Sequence, residues 1–163
     1  MGSKALLVVY SYHHENTLAI AQAMAPILGA KIVAPRDTDL HALAQCDLVG
    51  FGSGIYGAKH HASLLDLADR LPDLADKMAL LFSTCGAPSF AVTREFILKN
   101  HTALREKLVS KGYTIVDEFG CAGWNTNSFL RLFGGLNKGR PNADDLERAA
   151  EFAQSLERKM RNV

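Results

Sequence analysis

The chain has 163 residues, of which 48% are hydrophobic, so it is long enough for one domain with a buried core, and we expect a single domain over residues 1–163. Its 18 Lys and Arg balance 17 Asp and Glu, and the formal net charge of +1 excludes a global electrostatic preference for nucleic acid or an anionic membrane. The three cysteines form no CxxC pair, so they indicate neither a dithiol nor a metal site.

The first segment, MGSKALLVVYS, predicts a strand and not a targeting signal. Its apolar run is too short for the core of a secretion signal, and Leu6 stands where a myristoylation signal has Ser or Thr. No run approaches the roughly 20 apolar residues of a membrane span. We therefore expect a cytoplasmic protein without a membrane anchor.

Strand and helix signals then alternate along the chain. Apolar runs predict five strands, at residues 5–11, 31–35, 47–54, 77–83 and 113–121. Apolar residues at helical spacing predict four helices, at residues 17–28, 62–71, about 90–110 and about 144–158. Residues 36–46 are predicted as a polar connection that allows one helical turn. Gly29 is the expected cap of the first helix, and PNADDLE marks the start of the last.

Five strands that alternate with helices predict a three-layer, doubly wound α/β domain with a parallel sheet and right-handed crossovers. Ligands of such folds bind outside the carboxyl ends of the strands. Three loops are expected at that end of the sheet, at residues 11–17, 53–61 and 83–90. The candidate binding site is therefore sought in these loops.

The first loop, SYHHENT, precedes a helix whose free N–H groups and positive dipole end favour an anion. Ser11, Asn16 and Thr17 can donate to a phosphate without adding charge. This loop is neither GxxxxGK nor GxGxxG, which disfavours ATP and NAD as tightly held ligands at this site. The loop predicts a phosphate monoester site; alternatively its polar residues only cap the helix.

The second and third loops favour a flat ligand. In SGIYGAKHH, glycines flank Ile55 and Tyr56 and let the backbone approach a ring on which Tyr56 can stack, although Tyr56 can also be an ordinary exposed aromatic. STCGAPS offers small polar groups to the edge of a heterocycle. The three loops together predict a mononucleotide with an aromatic head.

These segments resemble a known family. SYHHENT between a strand and a helix resembles the phosphate loop of flavodoxins, and DLVGFGSGIYG resembles their third strand and flavin loop. GGLNKGRPNADDLERAAEFAQSL is similar to the tail of flavodoxin-like proteins from anaerobic microbes, and the lack of a long insertion near the fifth strand is typical of the short-chain type. The resemblance implies strand order 2-1-3-4-5 and FMN as cofactor.

The resemblance also implies which residues hold FMN. It assigns the phosphate to Ser11, His13, His14, Asn16 and Thr17, one flavin face to Ser53, Gly54, Ile55, Tyr56 and Gly57, and the pyrimidine edge to Ser83, Thr84, Cys85 and Gly86. Glu15 stands where the family commonly has Gly, and its carboxylate would repel a phosphate unless the side chain turns outward. Many flavodoxins are strongly acidic, which steers them to basic partners, whereas this chain is near neutral.

Several residues have a second interpretation. His13, His14, His60 and His61 are expected at one end of the sheet, where they could bind a metal, but hydrogen bonding and a helix start are preferred. Trp124 and Phe129 either cover the flavin or plug the edge of the core, and we favour the plug. Cys85 is expected to be a small packing residue and not a nucleophile.

The sequence thus predicts an FMN-binding, flavodoxin-like electron carrier between redox partner proteins, as a monomer or weak homodimer, with no metal and no catalytic residue of its own. Two alternatives remain. One is an FMN-dependent NAD(P)H:quinone-type oxidoreductase, and the other is an interaction module of the same fold that has lost the cofactor, for which Glu15 is the main argument.

Overall fold

The computed structural model describes residues 4–161; the first three and last two residues of the expected domain lie outside the described residues. The strands are β1 Ala5–Tyr10, β2 Ala30–Val33, β3 Leu48–Tyr56, β4 Lys59–His60, β5 Lys77–Cys85 and β6 Tyr113–Ala122. Five of them form a parallel sheet in the order β2-β1-β3-β5-β6, and the two-residue β4 pairs antiparallel with β3. Apart from the insertion of β4, this is the predicted 2-1-3-4-5 order, and the doubly wound α/β fold is confirmed.

Helices cover both faces of the sheet. They are α1 Asn16–Leu28, α2 Leu40–Ala44, α3 Ala62–Arg70, α4 Arg94–Ser110 and α5 Ala143–Arg161. Helices α1 and α5 pack together over one apolar cluster, while α3 and α4 pack over a second cluster on the opposite face. Among residues 4–161, no helix is both long and apolar enough to cross a lipid bilayer.

Local chemistry explains where the helices begin and end. Gly29 ends α1 in the left-handed conformation, with φ 59°, and donates its N–H to Ala25, as predicted. Helix α4 begins at residue 94 and not at residue 90, because the Thr93 hydroxyl caps it by accepting from the Phe96 N–H. At the start of α5, Asn142 and Asp145 each accept the other's backbone N–H at 3.0 Å.

The register of the strands brings the predicted loops together. Tyr10 pairs with Ser53, Ser53 with Ser83, and Ser83 with Gly120, so the strands β1, β3, β5 and β6 end side by side. The loops that follow these strands meet above the sheet, at the edge where doubly wound folds bind ligands. A fourth loop, after β6, joins the three that the sequence singled out.

Candidate functional site

A cleft of about 100 Å³ lies at the carboxyl ends of the strands, and we call it the carboxyl-end cleft. Its lining includes ten of the fourteen residues predicted to hold the cofactor: Ser11, His13, Asn16, Thr17, Gly54, Ile55, Tyr56, Thr84, Cys85 and Gly86. Tyr12, Trp124, Asn125 and Asn127 complete the wall. No acidic side chain lines the cleft, which suits an anionic ligand.

The polar side chains of the first loop both cap α1 and join it to neighbouring loops. The Ser11 hydroxyl accepts from the Leu18 N–H at 3.2 Å, so it does cap the helix. The buried hydroxyls of Thr17 and Thr84 lie 2.8 Å apart, and only one of their two protons is used between them. The Asn16 amide donates to the Trp124 carbonyl at 3.0 Å. Helix capping and a phosphate site are therefore compatible uses of the same loop.

The first loop also presents backbone donors. Within the described residues, the N–H groups of His13, His14 and Glu15 donate to no protein acceptor. They lie directly before the N-terminus of α1, where the helix dipole favours negative charge. The Glu15 side chain is exposed and lies outside the lining of the cleft, so its carboxylate points away from the place expected for a phosphate.

The loop reaches this shape through an unusual backbone. His14 and Glu15 both adopt the left-handed conformation, with φ 51° and 52°. L-residues rarely adopt this conformation, because Cβ then approaches the backbone carbonyl closely. Glycine, which the resembling family commonly has at the position of Glu15, adopts it freely.

Tyr56 narrows the aromatic side of the cleft. A Cβ atom added to Gly54 would lie 3.0 Å from the Tyr56 ring, so the ring rests directly over this glycine. The ring also packs edge-on against His61, and burial raises the pKa of its hydroxyl. Tyr56 is therefore not an ordinary exposed loop aromatic.

Four predicted residues lie outside the cleft. Ser53 is buried, donates to the Gly54 carbonyl and accepts from the His61 N–H at 2.9 Å. Ser83 is buried against His101, because successive side chains of a strand face opposite sides of the sheet and Thr84 faces Thr17 on the other side. Gly57 lies in the turn before β4 with φ 56°. The residues at these positions therefore do not line the cleft.

His14 is the fourth of these residues, and it connects two loops. Its ring stacks on Trp124 with 4.0 Å between the centroids, and its Nε2 lies 2.9 Å from the Thr126 hydroxyl. Trp124 thus faces the cleft and His14, so the interpretation of this side chain as a plug of the core edge is wrong. Phe129 is 67% exposed, which also contradicts the plug.

The loop after β6 supplies the lining residues that sequence analysis missed or left open. Asn125 pairs with Leu136 in both directions, at 2.8 and 2.7 Å, and its side chain donates to the Gly86 carbonyl. Asn127 donates its N–H to the Asn125 side chain. Of this stretch, Trp124 was named from the sequence as a residue that could cover a ligand, whereas Asn125 and Asn127 were not singled out.

A buried chain of polar groups lies behind the cleft, between β5, β6 and α4. The His101 Nε2 lies 2.7 Å from the Ser83 hydroxyl, and its Nδ1 lies 2.8 Å from Glu118. Arg105 binds the same carboxylate through two nitrogens, at 2.6 and 3.0 Å. Burial would raise the pKa of Glu118, but the hydrogen bonds from His101 and Arg105 outweigh it and lower the pKa to about 2.

His60 lies beside this chain and is fully buried. Its Nε2 donates to the Phe82 carbonyl at 3.1 Å, and its Nδ1 has no partner among the described residues. Burial, reinforced by the nearby His101, lowers the pKa of His60 to about 3. Burial also lowers the pKa of His101, so both imidazoles are neutral next to the Glu118 carboxylate.

The remaining site residues have plain roles. His61 caps α3 by accepting from the Ser63 N–H, as expected for a helix start, and stacks on Tyr10 with 3.6 Å between the centroids. Burial raises the pKa of the Cys85 thiol, so it stays protonated and packs as a small side chain. In the described part of the chain, no three His, Cys, Asp or Glu side chains lie close enough together to hold a metal ion.

Known proteins share the sequence and the fold. The profile of the flavodoxin domain matches residues 7–123. An uncharacterized protein from Methanocaldococcus jannaschii is 43% identical over 155 residues, which cover 94% of this chain and 97% of that protein. Oxidised flavodoxin 2 from Bacillus cereus superposes with a TM-score of 0.69 at 19% identity, covering 96% of this chain and 99% of that one. An apo NADH:FMN oxidoreductase superposes with a TM-score of 0.63 at 21% identity, covering 93% and 88%.

Proposed function

Because this chain belongs to the flavodoxin family, we propose that it binds FMN in the carboxyl-end cleft and carries electrons between redox partner proteins. The observation that carries the proposal is the donor set of the cleft. Uncommitted N–H groups at the start of α1 adjoin the paired hydroxyls of Thr17 and Thr84, and no carboxylate lines the cleft. Such a donor set fits a phosphate monoester.

The rest of the cleft fits the ring end of the same ligand. Gly54 and Gly86 carry no side chain, so the Tyr56 ring rests on the backbone at Gly54 and the Asn125 side chain rests on it at Gly86. Tyr56 and Trp124 offer aromatic surfaces. Ligand pockets commonly enclose about 300–1,000 Å³, whereas this cleft encloses about 100 Å³. We infer that the Tyr56 ring, which rests over Gly54, moves aside when the cofactor enters.

When bound, FMN supplies one- and two-electron transfer, being reduced as one partner is oxidised and oxidised as the next partner is reduced. The residues of this chain would hold and shield it. The backbone N–H groups of His13, His14 and Glu15 would bind the phosphate, and the Thr17 hydroxyl would donate to it while the Thr84 hydroxyl donates to Thr17. Tyr56 and Trp124 would exclude water from the ring.

The proposal is tested by comparing FMN with riboflavin, which lacks only the phosphate. Thr17→Val removes one hydroxyl of the buried pair at constant shape, and we expect it to weaken FMN binding about tenfold. Riboflavin binding, which is weaker in every variant, is expected to change about twofold or less. Isothermal titration and the absorption spectrum of the bound flavin measure both ligands.

Thr38→Val is the matched control. The Thr38 hydroxyl donates to the Ala34 carbonyl after β2, away from the cleft, so its loss is expected to leave both affinities unchanged. Equal affinity for FMN and riboflavin, or a protein that binds neither, would contradict the proposal and favour the cofactor-free module. Rapid steady-state oxidation of NADH by the FMN-loaded protein with a quinone would favour the oxidoreductase over the carrier.

A further inference from the structure

The loops at the carboxyl ends of the strands expose large apolar side chains around the mouth of the cleft. Among residues 4–161, five of the six large apolar side chains that are most exposed follow these strand ends: Tyr12, Phe90, Phe129, Leu132 and Phe133. Phe90 is 86% exposed, Leu132 83% and Phe133 81%. Large apolar side chains exposed together at one edge of the sheet are typical of interaction sites.

The segment that carries most of these side chains is held firmly by hydrogen bonds. Residues 128–133 form a 3-10 helix, after which Gly135 donates to the Leu130 carbonyl at 2.7 Å. The Trp124 indole donates to the Gly134 carbonyl at 3.1 Å. The apolar side chains therefore project from a preorganised platform, which lowers the entropy cost of binding.

The loop that carries Phe90 belongs to the same platform. The Asn137 side chain donates to the Ala87 carbonyl at 2.8 Å and to the Gly123 carbonyl at 3.3 Å. It thus connects the loop after β5 to the loop after β6. We call the surface formed by Phe90, Phe129, Arg131, Leu132, Phe133 and Lys138 the rim surface.

The charge of the rim surface has one sign. Arg131 and Lys138 are exposed, and neither lies within ion-pair distance of an acidic side chain in the described part of the chain. The sequence has no Asp or Glu between Glu118 and Asp144 or between Asp76 and Glu95, the two stretches that supply the rim surface. The near-neutral total charge therefore conceals a basic, apolar surface beside the cleft.

We propose that the rim surface docks an acidic protein with an apolar contact patch, and that this protein is the redox partner of the chain. Charge complementarity selects the acidic partner, and the aromatic and Arg side chains are of the types enriched at the centres of interfaces. Trp124, Asn125 and Asn127 line the cleft and lead directly into the platform, so a partner docked here lies against the mouth of the cleft. The redox role of the docked protein rests on the proposed function, whereas the docking itself does not.

The surface disfavours other occupants. In a twofold dimer through this face, Arg131 and Lys138 would meet the same cations of the second copy. Glu15 is the one acidic residue of the nearby loop after β1 that could offset this repulsion. An anionic bilayer shares the required charge, but a flat membrane would also close the mouth of the cleft. Both occupants are outcomes of the experiment below.

The experiment is a titration of the isotope-labelled full chain, with and without FMN, followed by amide chemical shifts. The probes are a small acidic ferredoxin, basic cytochrome c, and phosphatidylglycerol vesicles. We expect the ferredoxin to shift the amides of residues 87–91 and 124–138, with an affinity that falls as salt rises. We expect no comparable shifts with cytochrome c or vesicles.

Matched variants separate charge from apolar contact. Arg131→Glu is expected to weaken ferredoxin binding about fivefold or more at low salt, whereas Arg158→Glu, the same change at an exposed position of α5, changes it less than about twofold. Phe133→Ser is expected to weaken binding about tenfold, whereas Val109→Ser, at an exposed apolar position of α4, has little effect.

The outcomes are distinct. The proposal would be overturned if cytochrome c bound as tightly as ferredoxin or more tightly, or if the chemical shifts changed elsewhere on the chain. It would also be overturned by binding to vesicles in place of ferredoxin, or by concentration-dependent self-association through the rim surface. Ferredoxin docking on the rim surface of a chain that binds no FMN would support the docking and refute the proposed electron carrier. FMN binding without ferredoxin docking would refute the docking alone.

Discussion

Glu15 illustrates how a single residue departs from the pattern of its family without removing the site. Its left-handed backbone costs free energy that a glycine would not, yet it directs the side chain to solvent and leaves the N–H beside the N-terminus of α1. The main sequence argument for a lost cofactor site therefore weakens, because the carboxylate lies outside the cleft lining.

We expect Glu15→Gly to raise the free energy of unfolding by about 1 kcal/mol, because glycine adopts φ 52° without strain. Glu15→Gln removes the charge but keeps the strain, so its stability should stay close to that of the parent. Urea denaturation of the three proteins measures the difference. If the Glu15→Gly variant proved less stable than the Glu15→Gln variant, the backbone here would not be strained.

Secondary-structure elements also act together, and the clearest case is the buried chain of polar side chains that joins β4, β5, β6 and α4. His60 and His101 are neutral in the folded protein, and Glu118 is ionised. Arg105 balances that carboxylate. Because the folded pKa values of all three titrating groups are lowered, their contribution to stability is complete above the unfolded pKa values and is lost as the pH falls.

For His60 the loss begins near pH 6.5 and continues to about pH 3, since over this range the unfolded chain binds a proton that the folded chain does not. The expected slope is about 1.4 kcal/mol per pH unit from this residue alone. His60→Phe should reduce the slope of unfolding free energy between pH 6.5 and 5 by about that amount, although it also lowers stability at pH 8 by removing the hydrogen bond from His60 to the Phe82 carbonyl. Urea denaturation at each pH measures the slope.

Tyr113→Phe is the control for this prediction. Burial raises the pKa of Tyr113 to about 12, so the variant alters a buried aromatic without changing proton binding in the acid range. Its pH slope should match that of the parent. An unchanged slope in His60→Phe would show that His60 is protonated in the folded protein.

At the scale of the whole molecule, the cleft is assembled from loops that are far apart in sequence. Residues of the loops after β1, β3, β5 and β6 line it together, so it exists only while the sheet is intact. A ligand that binds there must stabilise the folded chain as a unit, because it does not bind the unfolded chain.

We therefore expect FMN at a concentration about 100 times its dissociation constant to raise the free energy of unfolding by about 2.7 kcal/mol. Thermal and urea unfolding, with riboflavin at the same concentration as the control, measure the gain. If the spectrum showed that the flavin is bound but the free energy of unfolding did not change, the flavin would be held outside the folded cleft.

The architecture follows from the amino-acid pattern, because the signals involved are local. Continuous apolar runs, helical periodicity and caps such as Gly29 act over a few residues, and they placed the five main strands and the large helices within a few positions. The prediction that residues 11–17, 53–61 and 83–90 share one edge followed from the topology of parallel strands. The structure also confirmed helical structure within residues 36–46, as α2.

Which side chains face the cleft depends on how the strands assemble into the sheet. Ser83 and Thr84 are adjacent in sequence, but the pleat of β5 directs Ser83 to His101 and Thr84 to Thr17. Asn125 reaches the cleft because the loop after β6 folds back, with Asn125 paired to Leu136 and bonded to the Gly86 carbonyl, and these contacts between distant segments are not encoded by local patterns. The basic charge of the rim surface is likewise a property of assembled loops, which a net charge summed over the chain averages away.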